Sequence, residues 1–273
     1  MKLHMTSRHT ADTAPVATFE GDKLLPPGTY EQLMTGGYIS VSEYAKAGAK
    51  AAGVVLDNIT EERWRRLASA THYIDEFIDT AEQPTMARRL YNEGLQAALT
   101  YEDTFEALRA VQLPLDINPL VPASVIALHS SLEGTSPVQR DQLAAAAYAI
   151  NHAADIKAST NDIDAYLTTL TEESDATAAL FDHIATPYVA HQPAHAALSK
   201  VVRHAMRVAV MLDSALDLRE DYEQGVTKVQ PTIRHMARLA CAALLPAHQA
   251  TTFGDNLHIT WAMAREVRPY IKY

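Results

Sequence analysis

From about residue 38 onward, apolar residues recur at spacings of three and four. Ala, Leu, Glu, Gln and Arg dominate, and no alternating Val/Ile/Thr run bounded by turns appears. A repeat near 3.6 residues puts its apolar side chains on one stripe of a helix and scatters them over both faces of a strand, so the pattern predicts an all-α chain. Pro84, Pro114, Pro119, Pro122, Gly134, Pro137, Pro187, Pro193, Gly225, Pro231, Pro246 and Gly254 interrupt it. Between these breaks the pattern predicts helices at roughly 40–55, 59–81, 85–98, 101–112, 119–132, 137–157, 161–185, 195–224, 229–244 and 252–268. The connections are short enough to join antiparallel neighbours of one bundle. Residues 1–30 carry Pro15, Pro26, Pro27 and Gly28 without periodicity and read as an irregular N-terminal arm, leaving 31–273 as a single helical domain.

Charge and composition narrow the function classes. Lys and Arg total 23 against 33 Asp and Glu, a net charge of −10, which is a poor footprint for neutralising phosphate backbones and sets nucleic acid aside as a partner. Cys241 is the single cysteine, so the chain forms no internal disulfide and no thiolate zinc cluster, as expected of a protein in the reducing cytoplasm. No stretch approaches 18 consecutive apolar residues, so no membrane span is expected. Glu-x-x-His and His-Glu-x-x-His are both absent, which removes the usual di-iron and metalloprotease sites. His191 and His195 are four apart, but Pro193 lies between them and no third ligand accompanies them. There is no Gly-x-Gly-x-x-Gly or phosphate-loop motif.

Two predicted helices carry acid where apolar residues belong. Ala205 to Leu218 (AMRVAVMLDSALDL) is apolar nearly all round, the signature of a helix at the centre of a bundle, yet it contains Asp213 and Asp217. With Asp221 these stand at i, i+4 and i+8, one row on one helix face. The 59–81 helix repeats the device with Asp75 and Asp79. Like charges about 6 Å apart repel by roughly 3 kcal/mol at an effective dielectric of 20. Protonation, a solvated face or a bound hard cation each offsets that cost. Oxygen-only ligands in an open, water-accessible row suit Mg²⁺, which is commonly held by a few carboxylates plus substrate phosphates, so two such rows point to a diphosphate site.

The segment Asp75-Glu76-Phe77-Ile78-Asp79 near the end of one long helix, with Asp213-Ser-Ala-Leu-Asp217-Leu-Arg-Glu-Asp221-Tyr-Glu-Gln-Gly225 ending another, resembles the all-α trans-isoprenoid synthase superfamily. The second row is similar in spacing to the Asn/Ser/Glu metal motif of class I terpene cyclases, with Asp at all three positions. Asp217 to Pro231 also resembles the second acid motif of squalene and phytoene synthases, and Asp75 to Asp79 their first. The sequence departs from the family pattern in two ways. Glu76 stands where the commonest first motif has Asp, and no Arg-Arg-Gly follows at the distance of chain-elongating prenyltransferases, Arg88 and Arg89 lying too far along.

The resemblance implies a class I terpene synthase in which Asp75, Asp79, Asp213, Asp217 and, at the helix end, Asp221 hold Mg²⁺ against an isoprenyl diphosphate. Such an enzyme also needs a dry pocket. Trp64 lies eleven residues before Asp75 on the same helix face, with Ala68 and Thr71 between, and Met206, with Val202, Ala209 and Val210, lies near the face of Asp213. Trp64 and Met206 are therefore the expected cavity residues, with core packing as the alternative for both. Arg207, inside an apolar helix, needs an anionic partner, which is either substrate or Asp213. Lys228 and the pair Arg268 and Tyr270 resemble the basic and Arg-Tyr elements that close over diphosphate. A bicyclic labdane-type (diterpene) diphosphate stands among the substrates, since the chain lacks a protonation-type Asp-x-Asp-Asp motif. The rival readings are a head-to-head prenyltransferase of the squalene/phytoene type and a non-enzymatic helical interaction module whose acid rows are merely solvated. The oligomeric state is open, a homodimer included.

Overall fold

The computed structural model describes residues 25–35, 40–51, 54–80, 84–113, 117–185 and 192–244. Among these the regular structure is entirely helical: α1 (Thr29–Thr35), α2 (Ser40–Ala51), α3 (Asn58–Thr80), α4 (Pro84–Thr100), α5 (Thr104–Ala110), α6 (Leu120–Ser131), α7 (Pro137–Ser159), α8 (Ile163–Ala185), α9 (Gln192–Gln224) and α10 (Ile233–Leu244). The chain is therefore all-α over the described residues, and nine of the ten expected helices have a counterpart. The tenth, at 252–268, lies outside the described residues. Helix α1 was not expected. It is too short to show a period, and it forms because Leu33 and Met34 bury against α6 and α3, following a turn in which Gly28 takes φ +81°. No described helix is long and apolar enough to cross a membrane.

The helix ends follow local chemistry. Helix α7 starts with a reciprocal cap in which Ser136 Oγ accepts from Gln139 N at 3.3 Å and Gln139 Oε1 accepts from Ser136 N at 2.9 Å, with Pro137 in the first helical position. Helix α5 starts on Asp103, whose carboxylate accepts from Phe105 N and Glu106 N. Helix α9 ends at Gly225, whose φ of +76° is left-handed backbone.

The centre of the bundle is not where the sequence alone places it. Helix α6 is buried on nearly every face, through Val121, Ala123, Ser124, Val125, Ala127 and Leu128. Helix α9 is buried along Leu198, Val202, Ala205 and Met206, but its later turns emerge, and Leu216 is 77% exposed. The reason is length. Its 33 residues span about 50 Å against about 35 Å for the 23 of α8, its antiparallel neighbour. Register between the two is set by Ser199 Oγ donating to Asp182 Oδ1 at 2.7 Å, by Arg203 Nε 3.8 Å from Asp175 Oδ1, and by a bond between Ser214 and Tyr166. Since Tyr166 lies in the first turn of α8, the stretch of α9 from Asp217 to Gln224 runs past the start of that helix.

Two apolar clusters result. The larger joins α1 to α6 with the end of α8 and the first half of α9, around Trp64, Leu67, Phe181, Leu128 and Met206. The smaller, made of Ile163, Tyr166, Leu170, Met211, Leu218, Val229 and Leu239, ties the start of α8 to α9 and α10 and lies along the stretch of α9 that carries the acid row.

Candidate functional site

Asp213 stands next to Ser214, which faces Tyr166 in the first turn of α8, and Asp217 and Asp221 lie on the stretch of α9 that runs past the start of that helix. Asp213 and Asp217 are exposed and Asp221 is half-buried. Asp213 reaches solvent at its edge. Even so, the protein packed around its carboxyl, and then the charges of Asp217 and Asp221, push its pKa up from 3.8 to about 6; Glu173 adds to the rise and Lys157 opposes it. Asp217 is also raised, by desolvation first and then by Glu220. Neither acid is settled by its surroundings.

Two neighbouring helices supply what faces the row. From the last turn of α7, Lys157 Nζ lies 2.9 Å from Glu173 Oε1 and 2.7 Å from Glu173 Oε2, on α8. The buried hydroxyl of Tyr166, also on α8, is bonded to Ser214 between Asp213 and Asp217. Burial raises its pKa, Lys157 lowers it, and Asp221 and Glu173 raise it, so all of these groups lie within electrostatic reach of one another. Lys157, Tyr166 and Glu173 were not legible as site residues. They lie some fifty residues before the acid row, on two other helices, and no local spacing connects them to it. The nearest thing to a signal was a lysine in a last helical turn, which is usually a solvated helix end.

The three carboxylates stand in a line along a helix. Among the described residues no three His, Cys, Asp or Glu side chains close around a point that could hold a metal ion. Exposed oxygens in a row fit Mg²⁺ in donor chemistry but not in number, so a cation here would complete its shell from water, from substrate or from the other acid helix. Asp75 and Asp79 occupy the last two turns of α3, and their side chains lie outside the described residues. Their helix can be placed. Trp64 Nε1 donates to Phe181 O at 2.9 Å, and Phe181 precedes Asp182, the partner of Ser199. Helices α3 and α9 thus leave the same region of the bundle, and by helical rise Asp75 stands about 17 Å beyond Trp64 and Asp213 about 21 Å beyond Ser199.

The remaining expected residues fall in different surroundings. Trp64 is fully buried, its ring set edge-on against Phe181 at 5.7 Å between centroids and 74° between planes, and Met206 is fully buried in the same cluster. Both pack as core residues, with the indole N–H satisfied as burial requires. A small apolar gap lies on another face of α3, between Ile74, Phe77, Leu90, Gly94, Val121 and Val125, and its volume of about 10 Å³ is roughly one water's worth. Arg207 is half-buried, and its Nε is buried with no hydrogen-bond partner among the described residues. Lys228 is exposed in the loop after Gly225, between buried Thr227 and Val229. Arg268, Tyr270 and His191 lie outside the described residues, as does the side chain of His195. Compared with known protein families, curated proteins and solved structures, the chain matches none of them.

Proposed function

We propose that the protein is a class I terpene synthase that ionises an isoprenyl diphosphate at the acid row of α9, with Asp75 and Asp79 of α3 completing the Mg²⁺ ligands. The observation that carries this reading is the row itself: Asp213, Asp217 and Asp221 stand on one helix face, and the carboxyl of Asp213 is pushed up to about 6 by the protein packed around it and then by Asp217 and Asp221. Bound Mg²⁺ would supply the charge that stabilises the departing diphosphate. The chain's own contribution is to hold the carboxylates in register through Tyr166 and Ser214, and to offer N–H donors to the diphosphate oxygens. Arg207 suits the second task because its buried Nε–H has no acceptor among the described residues. Lys228, Arg268 and Tyr270 would close over the same anion.

The first test is thermal denaturation with Mg²⁺, with pyrophosphate and with both. The reading expects a rise in Tm that needs both together, since only the pair completes the site. No shift would return the row to the solvated face of an interaction module. The second test is incubation with geranyl, farnesyl, geranylgeranyl and labdane-type diphosphates, one at a time, followed by mass spectrometry of the extract. A hydrocarbon or alcohol with the carbon count of its substrate supports the lyase, and a product of doubled carbon count would mean head-to-head transfer.

A further inference from the structure

We propose that the groove between α4 and α7 is a binding site for an uncharged sugar, a mono- or disaccharide stacked on Tyr148 and hydrogen-bonded by Asn92 and Asn151. It shares no residue with the diphosphate site and does not depend on that reading. The two helices run antiparallel and are tied at two points. Arg140 Nη1 donates to Leu99 O and Tyr101 O, each at 3.3 Å, and Asn151 Nδ2 donates to Asn92 Oδ1 at 2.9 Å. Between these ties α7 carries Ala144 to Ala147, side chains too small to fill the space against Leu95 and Leu99. A cavity of about 330 Å³ is left, at the lower end of the range for small-molecule sites. Because the ties hold it open without a ligand, binding there costs little rearrangement.

The polar groups around the groove select its occupant. Asn151 Nδ2 gives its second hydrogen to Ala147 O at 3.2 Å. Asn92 Nδ2 and Asn151 Oδ1 are then a donor and an acceptor side by side, with no partner among the described residues. Each hydroxyl of a sugar ring both donates and accepts, so two neighbouring hydroxyls engage such a pair together. Tyr148 is 73% exposed, and its ring is stacked with that of His152, planes 13° apart and centroids at 6.2 Å, which holds the phenol in one orientation. An aromatic face beside amides suits a pyranose, whose C–H face is apolar while the hydroxyls at its rim reach the polar groups. Among the described residues no lysine or arginine lines the groove, so an anion finds no counter-charge, and the one carboxylate, Asp155, adds acceptors for hydroxyls. A cation would meet that carboxylate and a single aromatic face and would leave the amide pair unused.

The experiment is a saturation-transfer NMR titration of the full chain with free hexoses, pentoses, N-acetylhexosamines and their disaccharides. Choline and spermidine serve as cationic controls, and Tm is measured for every variant. At least one sugar is expected to bind saturably with a dissociation constant below about 10 mM. Tyr148→Ala should weaken that binding about tenfold or more and Tyr148→Phe keep it within about threefold, because the ring face carries the stack. Tyr148 being exposed, neither change should lower Tm. Asn92→Asp keeps the oxygen that accepts from Asn151 Nδ2 and removes only the neighbouring donor, so it should leave Tm unchanged and weaken sugar binding about fivefold. An amide pair that served only as a strut between α4 and α7 would show no such loss. Absence of saturable binding by every sugar would overturn the proposal. So would sugar binding that Tyr148→Ala and Asn92→Asp leave unchanged, or saturable binding by choline or spermidine with none by sugars.

Discussion

A carboxyl whose pKa rises from 3.8 to about 6 on folding binds its proton more tightly in the native chain than in the unfolded one. The native state then holds more protons within that window, so the stability Asp213 contributes is present below it and falls as pH rises through it. Asp213→Asn should therefore raise the Tm of the metal-free protein more at about pH 7 than at about pH 5. Equal offsets at the two pH values would show that folding does not raise the pKa of Asp213. The same reasoning separates Asp217 from Trp64. Asp217→Ala takes a charge out of a repelling row and should leave Tm unchanged or higher while abolishing diphosphate release. Trp64→Ala opens a cavity against Phe181 and orphans its carbonyl, at a cost of about 3–5 kcal/mol by chemical denaturation. If Trp64 also faces the hydrocarbon, that variant keeps Mg²⁺-dependent ionisation and changes its product ratios. An unchanged product profile leaves it a core residue.

Among the elements, α9 and its closing turn carry the most consequence. Gly225 adopts φ +76°, and Asp221 O accepts from both Val226 N at 2.8 Å and Thr227 N at 3.2 Å, so the turn that stops the helix also fixes the residue at the end of the acid row. A Cβ at Gly225 would meet nothing within 4 Å, which makes the cost of Gly225→Ala one of backbone conformation, about 1 kcal/mol. That variant should also weaken pyrophosphate binding in Mg²⁺, measured by titration, because the last turn loses its stop. An effect on stability alone would detach Asp221 from the site. Much of this element was legible in advance. The period, the acid spacing and the glycine stop are all local. That α9 would emerge from the core in its later turns was not, because exposure depends on where α8 begins.

At the scale of the molecule, the acid row lies beside the smaller of two apolar clusters, and α6 lies inside the larger. Hydrogen exchange should therefore be slowest in α6 and faster in α10, whose buried side chains belong to the small cluster. Mg²⁺ with pyrophosphate should slow exchange at 157–173 and 213–232 and leave α6 as it was. Uniform slowing, or none, would mean that ligand does not bind at the junction of α7, α8 and α9. Helix positions, the proline and glycine breaks and the i, i+4, i+8 row are properties of a few neighbouring residues, and the amino-acid order determined them through a 3.6-residue period and backbone sterics. The period likewise set Trp64 and Asp75 on one face of α3. What fills the space beyond that face, Phe181 against Trp64, was decided only when α8 packed there. So was the company of the acid row. Tyr166 of α8 meets Ser214 of α9, and Lys157 of α7 meets Glu173 of α8, because antiparallel register lays these helices side by side, and no spacing within one helix encodes contacts between helices.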